Sequence, residues 1–153
     1  MGLKPAAQFA LDYLRNKDLV YNRIAEVQEL DDMSFAVRYT NKEVFARAVP
    51  HIEDLDAVLT EIGSELGERH PLIIVLNTKN NVTVITKGFK KLVDFHKYLQ
   101  LLVINPFSQQ ETKWIIFPWT HSRVADPESL ALGIKAMSDT VDFITASQEK
   151  ELA

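Results

Sequence analysis

Residues 21–50 read YNRIAEVQELDDMSFAVRYTNKEVFARAVP, and this stretch decides the fold class. Within it Phe35, Val37 and Tyr39 alternate with small or polar residues, as in a strand with one buried face. The short polar segments DD and NKE interrupt the alternation, and Pro50 closes it. The stretch therefore predicts a three-stranded antiparallel meander.

Further apolar runs after the meander predict more strands. PLIIVLN (residues 71–77) and LLVIN (101–105) contain almost no polar residue, which is typical of strands covered on both faces. The run KWIIFPW (113–119) follows LLVIN after the polar turn PFSQQET, so these two predict a hairpin. The short run VTVIT (82–86) is either the return arm of another hairpin or the entry to a helix, and we favour the hairpin.

Four stretches have apolar residues at helical spacing, over residues 5–19, 52–70, 89–100 and from Asp126 onward. In the last of them, Asp126 is a good N-cap and Pro127 suits a first turn. Its predicted inward face is Leu130, Ile134, Met137, Val141 and Ile144. The element order α-βββ-α-ββ-α-ββ-α predicts an α+β fold with a mixed sheet and helices packed on it. We expect a single domain over residues 1–153, with 146–153 as a frayed tail.

Composition limits the classes of function. The chain of 153 residues has no cysteine, which excludes thiol catalysis and cysteine-ligated metals. It has no apolar run of membrane-spanning length and no signal-peptide core, so we expect a cytoplasmic protein without membrane contact. The net charge of −4 argues against nucleic acid as a partner.

The segment Thr120, His121, Ser122 and Arg123 has the best claim to a site, because it combines a base, a hydroxyl and an anion-binding fork. Adjacent His121 and Ser122 need not face each other, and no G-x-S-x-G elbow is present. We therefore interpret the segment first as a strand exit, then as an anion site, and last as a catalytic loop.

Two asparagines follow predicted strands. If PLIIVLN and LLVIN are parallel, Asn77 and Asn105 lie at one sheet edge, where ligands of such sheets bind. The hairpin then places the Thr120–Arg123 segment at the opposite edge. The predicted ligand- or anion-binding residues are His121, Ser122, Arg123, Asn77 and Asn105.

Aromatic and basic residues predict a contact surface for a partner. Pro118 places Trp119 at a sheet margin, where an exposed tryptophan anchors an interface. A lysine-rich helix carries Phe95 and Tyr98 off its apolar stripe. The predicted partner-contact residues are Trp119, Lys90, Lys91 and Lys97.

The order helix, three-stranded meander, helix and strand resembles that of restriction-endonuclease-like domains. That resemblance implies a magnesium site made by an acidic residue and an acidic-x-Lys triplet on the next strand. The meander offers Glu43 and Arg47 but no triplet, and Glu111 to Lys113 has its letters only in a predicted turn. The resemblance thus implies a degenerate nucleic-acid-binding domain, and its basic residues would be Lys79, Lys87, Lys90, Lys91 and Lys97.

The leading hypothesis is a non-catalytic domain that binds a protein or a small anionic ligand, with no metal or cofactor. The histidines lack the H-x-x-x-H spacing of metal sites, and glycine-rich phosphate loops are missing. In one form of this hypothesis the partner is a second copy of the chain, and a homodimer forms through a sheet edge or the last helix. The alternatives are the degenerate nuclease-like domain and a phosphate-ester enzyme that uses the Thr120–Arg123 segment.

Overall fold

The computed structural model describes residues 2–152, and its central feature is one six-stranded mixed sheet. The strands lie side by side in chain order, β1 to β6. β1 to β3 are antiparallel, β3 to β5 are parallel, and β6 is antiparallel to β5. The strands are β1 (Ile24–Asp31), β2 (Ser34–Tyr39), β3 (Glu43–Ala48), β4 (His70–Leu76), β5 (Gln100–Ile104) and β6 (Lys113–Ile116). The predicted α+β class with a mixed sheet in a single domain is confirmed.

Helices cover both faces of the sheet. The described helices are α1 (Pro5–Lys17), α2 (Leu55–Leu66), α3 (Lys79–Lys87), α4 (Phe89–Phe95), α5 (Pro118–Ser122), α6 (Pro127–Asp139) and α7 (Ala146–Leu152). On one face, α2, α3, α4 and α6 pack against Phe45, Ile73 and Val103. On the other face, α1 and α7 pack against Phe35, Ile74 and Leu102. The alternation of side chains along each strand produces this division.

The predicted meander is confirmed as β1 to β3. Phe35 lies opposite Ala46, and Val37 opposite Val44, so the alternating residues meet on one buried face. The helix predicted after the meander is α2, and its predicted inward residues Leu59, Ile62 and Leu66 are buried. Among residues 2–152, no helix combines the length and apolar composition that a membrane span requires.

The run VTVIT is not a strand, and the hairpin interpretation of it is wrong. These residues belong to α3, whose N-cap Thr78 accepts a hydrogen bond from the Asn81 amide through its side chain. Ile85 is fully buried under the sheet in this helix. Burial of one helical face outweighs the preference of β-branched residues for strands.

The strand KWIIFPW is also shorter than predicted. β6 ends at Ile116, and Pro118 begins the short helix α5 instead of continuing the strand. Proline suits a first helical turn because its missing N–H would be unpaired there in any case. The segment Thr120–Arg123 is therefore a helical turn with its C-cap, rather than a loop.

The last helices differ from their predicted packing. α6 begins at the predicted N-cap Asp126, but Met137 is 43% exposed, and only Ile134 and Ser138 of this helix are buried. Residues 146–152 of the predicted frayed tail form α7, and Leu152 is buried beside α1. Ala153 lies outside the described residues. α6 thus lies on the sheet with much of its apolar surface uncovered.

Candidate functional site

The carboxyl ends of β4 and β5 lie together, as the parallel arrangement requires. Leu76 lies opposite Ile104, so Asn77 and Asn105 follow at adjacent places on the same rim. Both asparagines are buried. The Asn77 side-chain amide donates to the carbonyl of Val141 at 3.0 Å, and its oxygen accepts from the Trp114 indole at 2.9 Å. The rim is therefore occupied by the chain itself.

Residues 138–142 close this rim, and their backbone carbonyls accept hydrogen bonds from both asparagines. The Asn105 side-chain amide donates to the Asp142 carbonyl at 2.7 Å. The Asp142 carboxylate accepts from the Gln109 backbone and the Gln110 side chain, and these bonds lower the pKa of Asp142. Binding of a ligand by Asn77 and Asn105 stays a prediction, and such a ligand would have to displace residues 138–142.

His121 and Ser122 lie at the opposite end of the sheet, and each bonds to backbone. The His121 Nδ1 atom accepts from the Phe117 amide at 3.1 Å. The Ser122 hydroxyl donates to the Trp119 carbonyl at 2.7 Å. A serine nucleophile requires its base within hydrogen-bond reach of the hydroxyl. The geometry at these two residues is that of a capped helical turn.

The side chain of Trp119 brings together residues that sequence analysis assigned to two separate sites. The Lys97 Nζ atom lies 4.9 Å from its ring centroid, and the Arg123 guanidinium carbon lies 4.6 Å from the same centroid. Both distances are within the range of cation–π attraction. Half-exposed Tyr98 adjoins this group, with the Lys97 Nζ atom 5.6 Å from its ring. We call Lys97, Tyr98, Trp119 and Arg123 the cationic aromatic rim.

His70, the first residue of β4, packs against the cationic aromatic rim. Its ring stacks on Tyr98 with centroids 4.3 Å apart and planes 12° apart. A depression of about 140 Å³ beside the stack is lined in part by Lys42, Phe117 and Thr120. No local pattern marks His70 as a site residue, because its partner Tyr98 lies 28 positions later in the chain.

Burial lowers the pKa of His70 below its ordinary value of 6.5, and the nearby charges of Lys42 and His96 lower it further. The pKa of His96 is also lowered by burial. The unfolded chain then binds more protons than the folded chain as the pH falls below about 6.5, so folding stability is lost in that range. We expect the melting temperature to fall between pH 7 and pH 5.

The variant His70→Phe tests this pH dependence, because it keeps a ring on Tyr98 and removes the titrating group. Its melting temperature, followed by circular dichroism across the same pH range, should change less than that of the parent. Lys42→Met should also reduce the slope, since it removes a charge that lowers the His70 pKa. A His70→Phe slope equal to that of the parent would contradict the assignment.

Two of the predicted contact lysines lie elsewhere. The Lys90 Nζ atom pairs with the Asp94 carboxylate at 3.1 Å within α4, and the Lys91 Nζ atom pairs with Asp56 of α2 at 2.8 Å. Exposed pairs of this kind add little stability. Of the predicted lysines, Lys97 is the one that contacts Trp119.

Arg47 of β3 lies among three carboxylates. The Arg47 guanidinium lies 2.6 Å from Glu61, 3.6 Å from Asp31 and 3.7 Å from Glu65. Glu43 pairs with Arg69 at 3.7 Å. Within residues 2–152, no group of three His, Asp or Glu side chains has the geometry to hold a metal ion. These carboxylates serve ion pairs in the fold.

Two clefts flank α6. The larger, about 410 Å³, has apolar walls that include Phe89 and Ile134, and Ser122 lies at its margin. The second, about 240 Å³, lies between α6 and β6 and is lined by Ile116, Val124 and Met137, among others. The clefts follow from the incomplete burial of α6.

Comparison with known proteins identifies no relative. No protein-family model matches the chain, and no curated protein or solved structure is significantly similar to it.

Proposed function

We propose that this protein is a non-catalytic binding domain, and that it binds a small anionic ligand with a planar ring at the cationic aromatic rim. The observation that carries the proposal is that two cations, Lys97 and Arg123, lie over the ring of Trp119. A cation held over an aromatic ring can pair with a phosphate or carboxylate, while the aromatic surface of the rim contacts the planar ring of the same ligand.

The chemistry of the rim supports binding over catalysis. His121 and Ser122, a base and a hydroxyl of the Thr120–Arg123 segment, hold the backbone of α5. That bonding fixes the turn that presents Trp119 and Arg123. The two residues act here as supports for a binding surface.

Two interactions supply the affinity. Stacking of a planar ring on an aromatic side chain contributes about 1–3 kcal/mol, and a charge-assisted hydrogen bond to a cation contributes about 1.5–3 kcal/mol. Tyr98 and Trp119 provide ring surfaces, and Lys97 and Arg123 provide charges that no ion pair within the described residues neutralises. The ligand therefore needs both a ring and an anion.

Calorimetric titration with adenosine 5′-monophosphate, which has both features, tests the proposal. Adenosine and inorganic phosphate, each with one feature, serve as comparison probes, and both should bind more weakly. Trp119→Ala and Arg123→Ala should each weaken binding of the monophosphate about tenfold, since each removes one of the two interactions.

Lys90→Ala is the matched control, because Lys90 is paired with Asp94 and lies outside the rim. It should bind the monophosphate like the parent protein. Thermal melts of all variants verify folding. Equal binding by Trp119→Ala and the parent, or no binding of any probe by the parent at low salt, would overturn the proposal.

A further inference from the structure

The two edge strands of the sheet, β1 and β6, differ in the features that keep an edge from pairing with another chain. β1 spans eight residues, including Glu26 and Glu29, and its pairing with β2 has irregularities near both ends. Charged residues and bulges are the devices that keep an edge strand from pairing with another chain. β6 has the sequence KWII at the opposite edge and lacks both devices after Lys113.

The backbone of β6 has hydrogen-bonding groups that point away from the sheet. The Asn105 amide donates to the Thr112 carbonyl at 2.7 Å, which places the bonded pairs of β5 and β6 at every second residue. Trp114 and Ile116 therefore bond to β5, and the N–H and C=O groups of Lys113 and Ile115 point outward. Within residues 2–152, no backbone group of a turn or loop bonds to these outward groups.

Apolar surface lies beside this edge on the α6 face. The cleft of about 240 Å³ between β6 and α6 opens at the edge, and its lining includes Val124 and Met137. Val124 and Met137 are 77% and 43% exposed. Phe117, at the end of β6, is exposed as well. The edge thus combines unpaired backbone with an apolar side.

We infer that a second copy of this chain covers the edge, through antiparallel pairing of the two β6 strands about a two-fold axis normal to the sheet. In the register centred on Trp114, Lys113 of one copy pairs with Ile115 of the other. Every outward N–H then meets an outward C=O, in both directions. A register centred on Ile115 would need the Phe117 amide, which already donates to His121.

The symmetry explains why the occupant is the same chain. A two-fold axis normal to the sheet leaves each face of the sheet on the same side in both copies, so α6 of one copy lies beside α6 of the other. The exposed Val124 and Met137 then face their own counterparts across the axis. One symmetric contact satisfies the outward backbone groups and covers the apolar side, as isologous interfaces do.

The variant Ile115→Pro tests the inference, because it removes one outward N–H from each strand and leaves the bonds between β5 and β6 intact. Proline is tolerated on edge strands where the N–H faces solvent. Light scattering coupled to size-exclusion chromatography should give a dimer for the parent and a monomer for Ile115→Pro. Ile115→Ala is the matched control, since it loses similar side-chain contacts but keeps the N–H, and it should stay dimeric.

Met137→Glu is a second, independent variant that leaves the strand unchanged. It introduces like charges across the axis, so we expect the dissociation constant of its dimer to be at least tenfold larger than that of the parent. A monomeric parent at concentrations near 100 µM, a range where a weak interface is populated, would overturn the inference. A dimer unchanged by both Ile115→Pro and Met137→Glu would also overturn it, because the contact would then lie elsewhere.

Discussion

Replacing Asn81 by aspartate is expected to lower the free energy of unfolding by about 3–5 kcal/mol. The Asn81 side-chain amide donates to the carbonyls of Pro50 at 2.7 Å and Leu76 at 2.9 Å. Its oxygen accepts from the Ile52 amide at 3.0 Å. A carboxylate has the same shape but no donor, so it would place negative charge against two carbonyl oxygens in a site with no solvent access.

Denaturation in urea at neutral pH measures this loss, and the adjacent Asn80→Asp is the matched control. Asn80 is exposed in the first turn of α3, where a negative charge is favourable, and its side-chain hydrogen bond to the Ile52 carbonyl is long, at 3.5 Å. Its change should therefore stay within about 0.5 kcal/mol of the parent. The folded-state pKa of the carboxyl introduced by Asn81→Asp should be raised by burial. The loss in the free energy of unfolding should therefore be largest at neutral pH, and it should decrease as the pH falls through that pKa. Equal stabilities of the two variants would contradict the assigned hydrogen bonds.

The second large effect is expected for Asn77→Ala, at about 3 kcal/mol. The change leaves the Trp114 indole N–H buried without its acceptor. It also removes the donor shared by the carbonyls of Ser138, Val141 and Asp142, which lie 3.0–3.3 Å from the amide nitrogen. For a domain of this length, the loss corresponds to a fall in melting temperature of roughly 6–12 °C.

A double-mutant cycle with Trp114→Phe isolates the side-chain pair. Trp114→Phe keeps an aromatic ring and removes the N–H, so its cost should be smaller in the Asn77→Ala background than in the parent. Asn41→Ala, at an exposed turn position, is the control and should change stability little. Additive costs of Asn77→Ala and Trp114→Phe would show that the indole hydrogen bond contributes nothing.

The meander was predictable because its determinants are local. The alternation of Phe35 and Val37 with polar residues sets which side is buried, and the short polar segments set where the chain turns. The strands β4 and β5 were predictable for a similar reason, since their apolar runs need cover on both faces, whereas their parallel pairing was only a condition of the prediction. Each of these signals lies within a few residues of the element it determines.

The helix α3 was not predictable in the same way, because VTVIT satisfies the local preference for a strand. Contacts far along the chain decide the outcome: Asn81 bonds to Ile52 and Pro50, about thirty positions earlier. The N-cap Thr78 is the one local signal that was available. Tertiary contacts overrode the intrinsic preference of the segment.

The cationic aromatic rim was predictable only in parts. Trp119, Arg123 and Lys97 were each selected from sequence, but for two unrelated surfaces. Lys97 precedes β5 and Arg123 ends α5, and the antiparallel pairing of β5 with β6 brings these two places together. Their convergence on one ring depends on sheet topology, which no local pattern specifies.

The closure of the β4–β5 rim by residues 138–142 has a consequence for synthesis of the chain. The side-chain amides of Asn77 and Asn105 donate to a segment that is synthesised after every strand of the sheet. While translation is still upstream of Ser138, the side-chain N–H groups of both asparagines lack the carbonyls that accept from them in the folded protein. This end of the sheet is therefore completed by a late segment of the chain, and until that segment is in place the two buried amides need water as their acceptor.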